Sequence, residues 1–223
     1  MKKRTGTHFP VFLNVRRKKC VVVGGGQVAF RKVRTLLDCG ARVTVISPVL
    51  HPDLSELANR KLIQVIRRSY KLGDLKGTFV VIAATDSKET NRKVAKEAGR
   101  VGALVNVVDD PKSSNFIVPS LLRRGDLTIT ISTGGMSPAL ARKIRTRLEE
   151  CFGEEYALLV SLIKEVRSTL RRKGIRTNAE SWQDALDLDL LTHLVRTGQK
   201  NKAKAILMKK LKSGINSVGA MSG

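Results

Sequence analysis

The sequence predicts an α/β protein: a parallel sheet interleaved with helices, then an antiparallel hairpin, then a wholly helical end. Three observations carry this expectation. Short apolar, β-branched runs alternate with amphipathic stretches as far as Val108. Two extended stretches, Asn115–Leu122 and Leu127–Ser132, are then joined through Arg123-Arg124-Gly125-Asp126, which leaves no room for a crossover helix. From Glu154 onward apolar residues recur at the helical period and no strand pattern returns.

Taken in order, Phe9-Pro10-Val11-Phe12-Leu13 is an apolar opening segment, and the basic turn Val15-Arg16-Arg17-Lys18 leads into a first strand over Lys19–Val23. That strand breaks into Gly24-Gly25-Gly26 and then into helix-forming sequence. The spacing Gly24-x-Gly26-x-x-Ala29 is the dinucleotide-binding fingerprint with alanine in its third place, so the sheet is read as Rossmann-like. Gly24 allows a sharp turn, Gly26 lets the backbone approach a pyrophosphate, and Ala29 lets helix and strand pack closely. The pyrophosphate is expected on the free N–H groups and positive dipole end of the helix, at Gln27 and Val28. The helix carries Ala29, Val33, Leu36 and Leu37 on one face, leaves Arg31, Lys32 and Arg34 mostly outside it, and ends at Gly40.

A second strand spans Ala41–Ile46 and stops at Ser47-Pro48. Dinucleotide-binding units usually present Asp or Glu here to the ribose hydroxyls. Ser47 can hydrogen-bond a ribose but carries no carboxylate to repel a 2′-phosphate, which leaves NAD against NADP open; Arg42, Arg67 and Arg68 are cations that favour the phosphate unless they are solvated surface groups. A helix over Pro52–Arg60, a third strand over Leu62–Ile66 and a wholly apolar fourth strand over Phe79–Ala84 follow. Thr85-Asp86 stands at the carboxyl end of that strand, where open α/β sheets bind ligands, with Asp86 or Ser87 capping a helix over Lys88–Ala98. Leu104–Val108 is the fifth strand.

After the hairpin, Thr133-Gly134-Gly135-Met136-Ser137-Pro138 forms a second glycine turn, with Ser137 as N-cap of a helix that runs to about Cys151. Leu159, Leu162, Ile163, Val166 and Leu170 mark the next helix, closed by Gly174. Asn178 starts another, Leu188–Thr197 and Lys202–Leu211 read as two more, and Ser213–Gly223 reads as a small, polar, frayed end. The expected division is 1–112, cofactor-binding; 113–150, hairpin plus helix; and 151–223, helical.

Composition narrows the functional classes. An apolar content of 42% supports a real core, and no apolar run approaches the roughly 20 residues of a membrane span. The start, Met1–Thr7, lacks the apolar centre of a signal peptide, so a soluble cytoplasmic protein is expected. Cys20, Cys39 and Cys151, like His8, His51 and His193, are scattered, which argues for free thiols and against a permanent metal site. The formal net charge of +23 favours anionic partners. Nucleic acid is disfavoured, because basic residues are spread along the chain and only 4% of residues are aromatic; a polyanionic small molecule explains the same charge.

Several of these pieces, in order, resemble one family. Phe9–Leu13, Val23–Lys32, Ala83-Ala84-Thr85-Asp86, Asn106-Val107-Val108-Asp109, Phe116–Ser120 and Ser132–Arg142 together are similar to precorrin-2 dehydrogenases, the dehydrogenase part of sirohaem synthases, over about Phe9–Glu150. The resemblance implies NAD-dependent oxidation of precorrin-2 to sirohydrochlorin, a homodimer built through the hairpin region and, in some members, insertion of Fe²⁺ or Co²⁺ into the product. It also implies that a chain of 223 residues lacks the methyltransferase domain of fused members.

The candidate site follows from both readings. The cofactor set is Gly24, Gly25, Gly26, Gln27, Val28, Ser47, Thr85 and Asn106. Asp109, just past the fifth strand, matches the family's acid/base aspartate by resemblance; by itself it is equally a cap for the turn before Pro111. The substrate is a tetrapyrrole with eight carboxylates, for which Ser132, Thr133, Gly134 and Gly135 offer backbone donors and Arg123, Arg124, Arg142 and Arg145 offer guanidinium groups. A second functional class, an NAD(H)-sensing regulatory module, explains the first glycine turn and the helical end but does not require Asp109 or the second turn.

Overall fold

The computed structural model describes residues 8–219, with side chains as far as Ser213; the expectations for residues 1–7 and 220–223 lie outside the described residues. The chain forms two compact units, Met1–Val118 and Pro119–Gly223.

The first unit is a five-stranded parallel sheet of order β3-β2-β1-β4-β5. Its elements are β1 (Lys19–Val23), α1 (Gln27–Asp38), β2 (Arg42–Ile46), α2 (Pro52–Asn59), β3 (Gln64–Ile66), β4 (Val80–Ala83), α3 (Lys88–Arg100) and β5 (Leu104–Val107), followed by a single 3₁₀ turn at Pro111–Ser113. Both faces of the sheet are covered, which is why its strands read as continuous apolar runs. Cys20, Val22, Val43, Val45, Val80 and Ile82 pack with Ala29, Val33 and Leu36 of α1 and Leu54 of α2. Val21, Val23, Val81, Ala83, Val105 and Val107 pack on the other face with Leu75 and with Val94 and Ala98 of α3. Burial at the first of these cores pushes the Cys20 thiol up to about 11, so it is an inert packing group.

β3 is shorter than the expected Leu62–Ile66, because the Leu62 N–H bonds back to Leu57 O and closes α2. The segment between β3 and β4 is held by two carboxylates. Buried Glu97 of α3 accepts from the Tyr70 hydroxyl and from the N–H groups of Gly73 (3.0 Å) and Leu75 (3.1 Å). Asp74 takes both terminal nitrogens of Arg68 at 2.8 Å, which holds its carboxyl below the usual range.

The second unit contains the antiparallel pair β6 (Ser120–Arg124) and β7 (Leu127–Ile131), then α4 (Pro138–Cys151), α5 (Glu155–Arg172), α6 (Ala179–Ala185), α7 (Leu188–Arg196) and α8 (Lys200–Gly219). β6 starts five residues after the expected Asn115, because the residues before it are bound elsewhere. Asn115 exchanges hydrogen bonds with Val105 of β5, through its own N–H (3.0 Å) and its Oδ1 (2.8 Å). The hairpin extends to Arg124↔Leu127, so its loop is only Gly125-Asp126, with Gly125 at φ +56°. The helices bury Leu159, Leu162, Val166 and Leu170 of α5 against Trp182, Leu191, Leu194, Leu207 and Leu211. α8 begins two residues before Lys202 and continues past Ser213, whose hydroxyl bonds back to Lys209 O and Lys210 O, instead of fraying there.

Candidate active site

β1 pairs with β2 on one side and β4 on the other, so the chain's direction of winding reverses between β1 and β4. Open α/β sheets bind ligands at the carboxyl ends of strands at such a point, and Gly24 and Thr85 lie there. The glycines are required for different reasons. Gly24 has φ +124°, and a Cβ on it would stand 2.1 Å from Ala84 O at the end of β4. At Gly25 a Cβ would stand 1.9 Å from Val49 O, because the segment after β2 closes on the turn; the His51 N–H donates to Gly25 O at 2.7 Å. At Gly26 a Cβ would meet no protein atom within 4 Å.

Gly26 is therefore not demanded by packing within the protein. It is also the N-cap of α1 and provides no side-chain cap, while Gln27 beside it is exposed. The first-turn N–H groups of α1 are left to an outside acceptor, and the open space at Gly26 admits one. A pyrophosphate fits this arrangement. Ala29 is fully buried where α1 meets the sheet.

The other cofactor candidates are less open. Ser47 is 7% exposed and its hydroxyl donates to Val49 O at 2.7 Å, so it braces the segment that packs on Gly25. The Thr85 hydroxyl donates to Asn91 Oδ1 at 2.7 Å, and Asn91 Nδ2 returns a bond to Thr85 O at 2.9 Å. Asn91, buried in α3, was missed in the sequence; a polar residue at helical spacing from Val94 and Ala98 was the available signal. The Asn106 Nδ2 donates to Phe116 O at 3.1 Å. Ser87, not Asp86, caps α3. Among the arginines considered for a 2′-phosphate, Arg68 is paired with Asp74, and Arg42 stands opposite Lys19 at the far end of the strands from the turn.

Asp109 and Asp110 divide the roles that the sequence left open at one residue. Asp110 is the cap: its carboxylate accepts from the Lys112 N–H (3.2 Å), the Ser113 N–H (3.3 Å) and the Ser113 hydroxyl (2.7 Å), bonds that hold its carboxyl below the usual range. Asp109 is exposed and sits in the left-handed region at φ +59°, a conformation that costs a non-glycine residue about 1 kcal/mol. It lies within electrostatic reach of Lys32, which is half-buried on α1; burial is the larger influence and lowers the Lys32 ammonium. Lys32 falls outside the apolar stripe of α1, so helical periodicity alone did not single it out.

In the second unit, Ser132 Oγ accepts from Gly134 N (3.1 Å), Thr133 Oγ1 from Ser137 N (2.9 Å) and Ser137 Oγ from Leu140 N (3.2 Å). Gly134 and Gly135 both have positive φ, at +64° and +85°, and both face open space. Arg124 is committed to Phe152 O (2.9 Å) and Glu154 (3.4 Å), and Arg145 is paired with Glu149. Arg123 and Arg142 are exposed. Among the described residues, no group of three or more His, Cys, Asp or Glu is placed to hold a metal ion, and no helix is long and apolar enough to cross a membrane.

Residues 11–120 match the family described as putative NAD(P)-binding, and residues 124–150 match the one described as sirohaem biosynthesis protein central. The chain is similar to sirohaem synthases over most of its own length. Relatives include siroheme synthase of Nitrosococcus oceani, 38% identical over 93% of this chain and 44% of that one. Siroheme synthase 1 of Aeromonas salmonicida is 36% identical over 89% of this chain and 43% of that one. The chain thus spans less than half the length of these relatives. A solved structure described as SirC, precorrin-2 dehydrogenase, shares the fold, with a TM-score of 0.71 at 23% identity over 92% of this chain and all of that one.

Proposed function

We propose that this relative of the sirohaem synthases oxidises precorrin-2 to sirohydrochlorin with NAD, and that Asp109 is its acid/base residue. The observation that carries the reading is the bare N-terminus of α1 behind Gly26, a seat for a dinucleotide pyrophosphate on the same strand edge as Asp109. When bound, NAD supplies the hydride acceptor. The chain's part is to orient the cofactor on the α1 donors, with Thr85 and Asn106 lining the carboxyl edge of the sheet, and to take up the proton that leaves the macrocycle at a carboxylate oxygen of Asp109. Strain at Asp109, with the capping work done by Asp110, favours catalysis over a purely sensory module, which has no use for a strained carboxylate.

Substrate carboxylates are assigned to Arg123, Arg142 and the Ser132–Gly135 turn, by charge and by the open space around both glycines. The working division is 1–112 for the cofactor, 113–150 for dimerisation and 151–223 for the helical subdomain. A homodimer is supported by exposed apolar groups around the start of α4: Leu140 (51%) and Ile144 (38%) stand one helical turn apart, and Met136, in the turn before the helix, is 89% exposed. The cytoplasm, with its supply of NAD, is the compartment this activity needs.

Purified protein mixed with precorrin-2 and NAD is expected to develop the absorption spectrum of sirohydrochlorin. Its absence, with NADP tried in parallel, overturns the assignment. The same mixture with Fe²⁺ or Co²⁺ as a further substrate tests whether chelation is a second activity.

A further inference from the structure

The helical unit contains a feature that dehydrogenation does not use. At the junction of α5 and α6 lies an open cavity of about 800 Å³, lined among others by Arg167, Arg171, Arg176, Thr177, Asn178 and Trp182. Its size is that of a small-molecule site. Three arginines are among its lining residues, and no Asp or Glu is. Some cations of the same unit are paired: Lys200 and Lys204 share Glu165, Lys210 meets Asp187 and Arg124 meets Glu154. Among the described residues, none of the three cavity arginines is in an ion pair. Like charges gathered around one concavity repel one another and raise the local concentration of anions.

Several acceptor atoms beside the arginines are already engaged, while the guanidinium groups supply the charged donors. Trp182 Nε1 donates to Thr177 Oγ1 at 2.9 Å, and Asn178 Oδ1 accepts from both the N–H and the hydroxyl of Ser181. Arg167 lies over the Trp182 ring at 5.3 Å, which fixes one guanidinium at the wall of the cavity. Gly174, at φ +69°, ends α5 and turns the chain so that Arg176 comes back beside Arg167 and Arg171.

We propose that this cavity is a binding site for a small polyanion carrying two or more acid groups, held by bidentate contacts from Arg167, Arg171 and Arg176. Phosphate and carboxylate groups both match the guanidinium fork. The residues named lie within Pro119–Gly223, and the proposal does not rest on the dehydrogenation.

Trp182 is the single tryptophan of the chain, so its emission reports on this cavity alone. The full-length protein is titrated with tripolyphosphate and, separately, with citrate, at about 0.15 M salt to screen diffuse attraction to the basic surface. A saturable change in emission is expected. The exposed pair Arg171→Gln/Arg176→Gln is expected to weaken it at least about tenfold, because each lost guanidinium removes a charge-assisted contact. A remote control of equal charge loss, Lys96→Gln/Arg100→Gln on α3, is expected to bind as the parent does. Response to tripolyphosphate alone assigns a phosphorylated ligand, and response to citrate alone a polycarboxylate. No saturable change with either probe overturns the proposal, as does equal weakening in both double variants. Matching circular dichroism spectra check that the variants are folded, and Arg176→Lys, which keeps the charge and loses the fork, is expected to bind between the parent and the double variant.

Discussion

Two glycine turns open helices in this protein, and they end differently. At Gly24–Gly26 the N-terminus of α1 has no side-chain cap, whereas at Gly134-Gly135 the donors before α4 are taken by Ser132, Thr133 and Ser137. The first turn is also packed into the protein on one side, at Gly24 and Gly25, and open on the other, at Gly26. The second is open at both glycines. A glycine turn in front of a helix thus offers the helix-end donors to an anion where the helix is uncapped; where hydroxyls close that end, the turn first starts the helix, and only its open loop face is left for an anion.

The largest effect expected from this contrast is on stability. Gly24→Val forces a Cβ against Ala84 O and a β-branched residue into φ +124°, and is expected to cost about 3 kcal/mol or more. Gly134→Ala meets only backbone strain, about 1 kcal/mol. Urea midpoints compare the two, and equal losses would break the distinction between a packed and an open turn.

At the edge of the same sheet, Asp109→Asn is expected to lower turnover about 100-fold with NAD affinity unchanged, the scale of a lost acid/base group. Asp109→Gly relieves the left-handed strain, so it should gain up to about 1 kcal/mol of stability while losing the same turnover. Retained turnover in either variant removes Asp109 from the chemistry.

Gly26→Ser places a capping hydroxyl on the bare end of α1 and a Cβ in the open space beside it. The helix gains a few tenths of a kcal/mol, and NAD affinity is expected to fall about tenfold, read by quenching or enhancement of NADH fluorescence. Unchanged affinity would show that the bare end is not where the pyrophosphate binds. The smallest effect is at the closed turn. Ser137→Ala removes the cap of α4 and should cost about 1 kcal/mol in thermal or chemical unfolding, with NAD affinity unaffected.

Much of the architecture was legible because it rests on local patterns. The β1–turn–α1 unit is readable from Val21–Ala29, since β-branched residues, consecutive glycines and a small residue at Ala29 each have a local physical reason. The hairpin was readable in kind but misplaced at its start. Asn115 and Phe116 look extended, but they form a bend tied to β5, a partner that the residue types do not identify. Gly25 shows the same limit: its glycine is demanded by Val49 O, far along the chain, while the fingerprint treats the position as free.

For the candidate site, residue types were visible and their assignments were not. Adjacent aspartates after β5 suggest both a cap and a catalytic group, and only backbone geometry gives the cap to Asp110 and leaves Asp109 exposed and strained. Ser47 lies at the ribose position by spacing, yet burial turns its hydroxyl toward Val49 O. Arg68 was one cation among several until the segment before β4 brought Asp74 against it.

The sequence alone determined the order of strands and helices, the anion-seeking turn after β1 and the family resemblance. These depend on periodicity, backbone freedom and side-chain chemistry along neighbouring residues. Tertiary structure decided which polar groups remain available. A hydroxyl, amide or guanidinium is committed or free according to what the fold brings within about 3 Å of it, and that partner is commonly remote in sequence. So Gly26 stays open, Thr85 is held by Asn91, and the arginines around Trp182 face a cavity without a counter-charge.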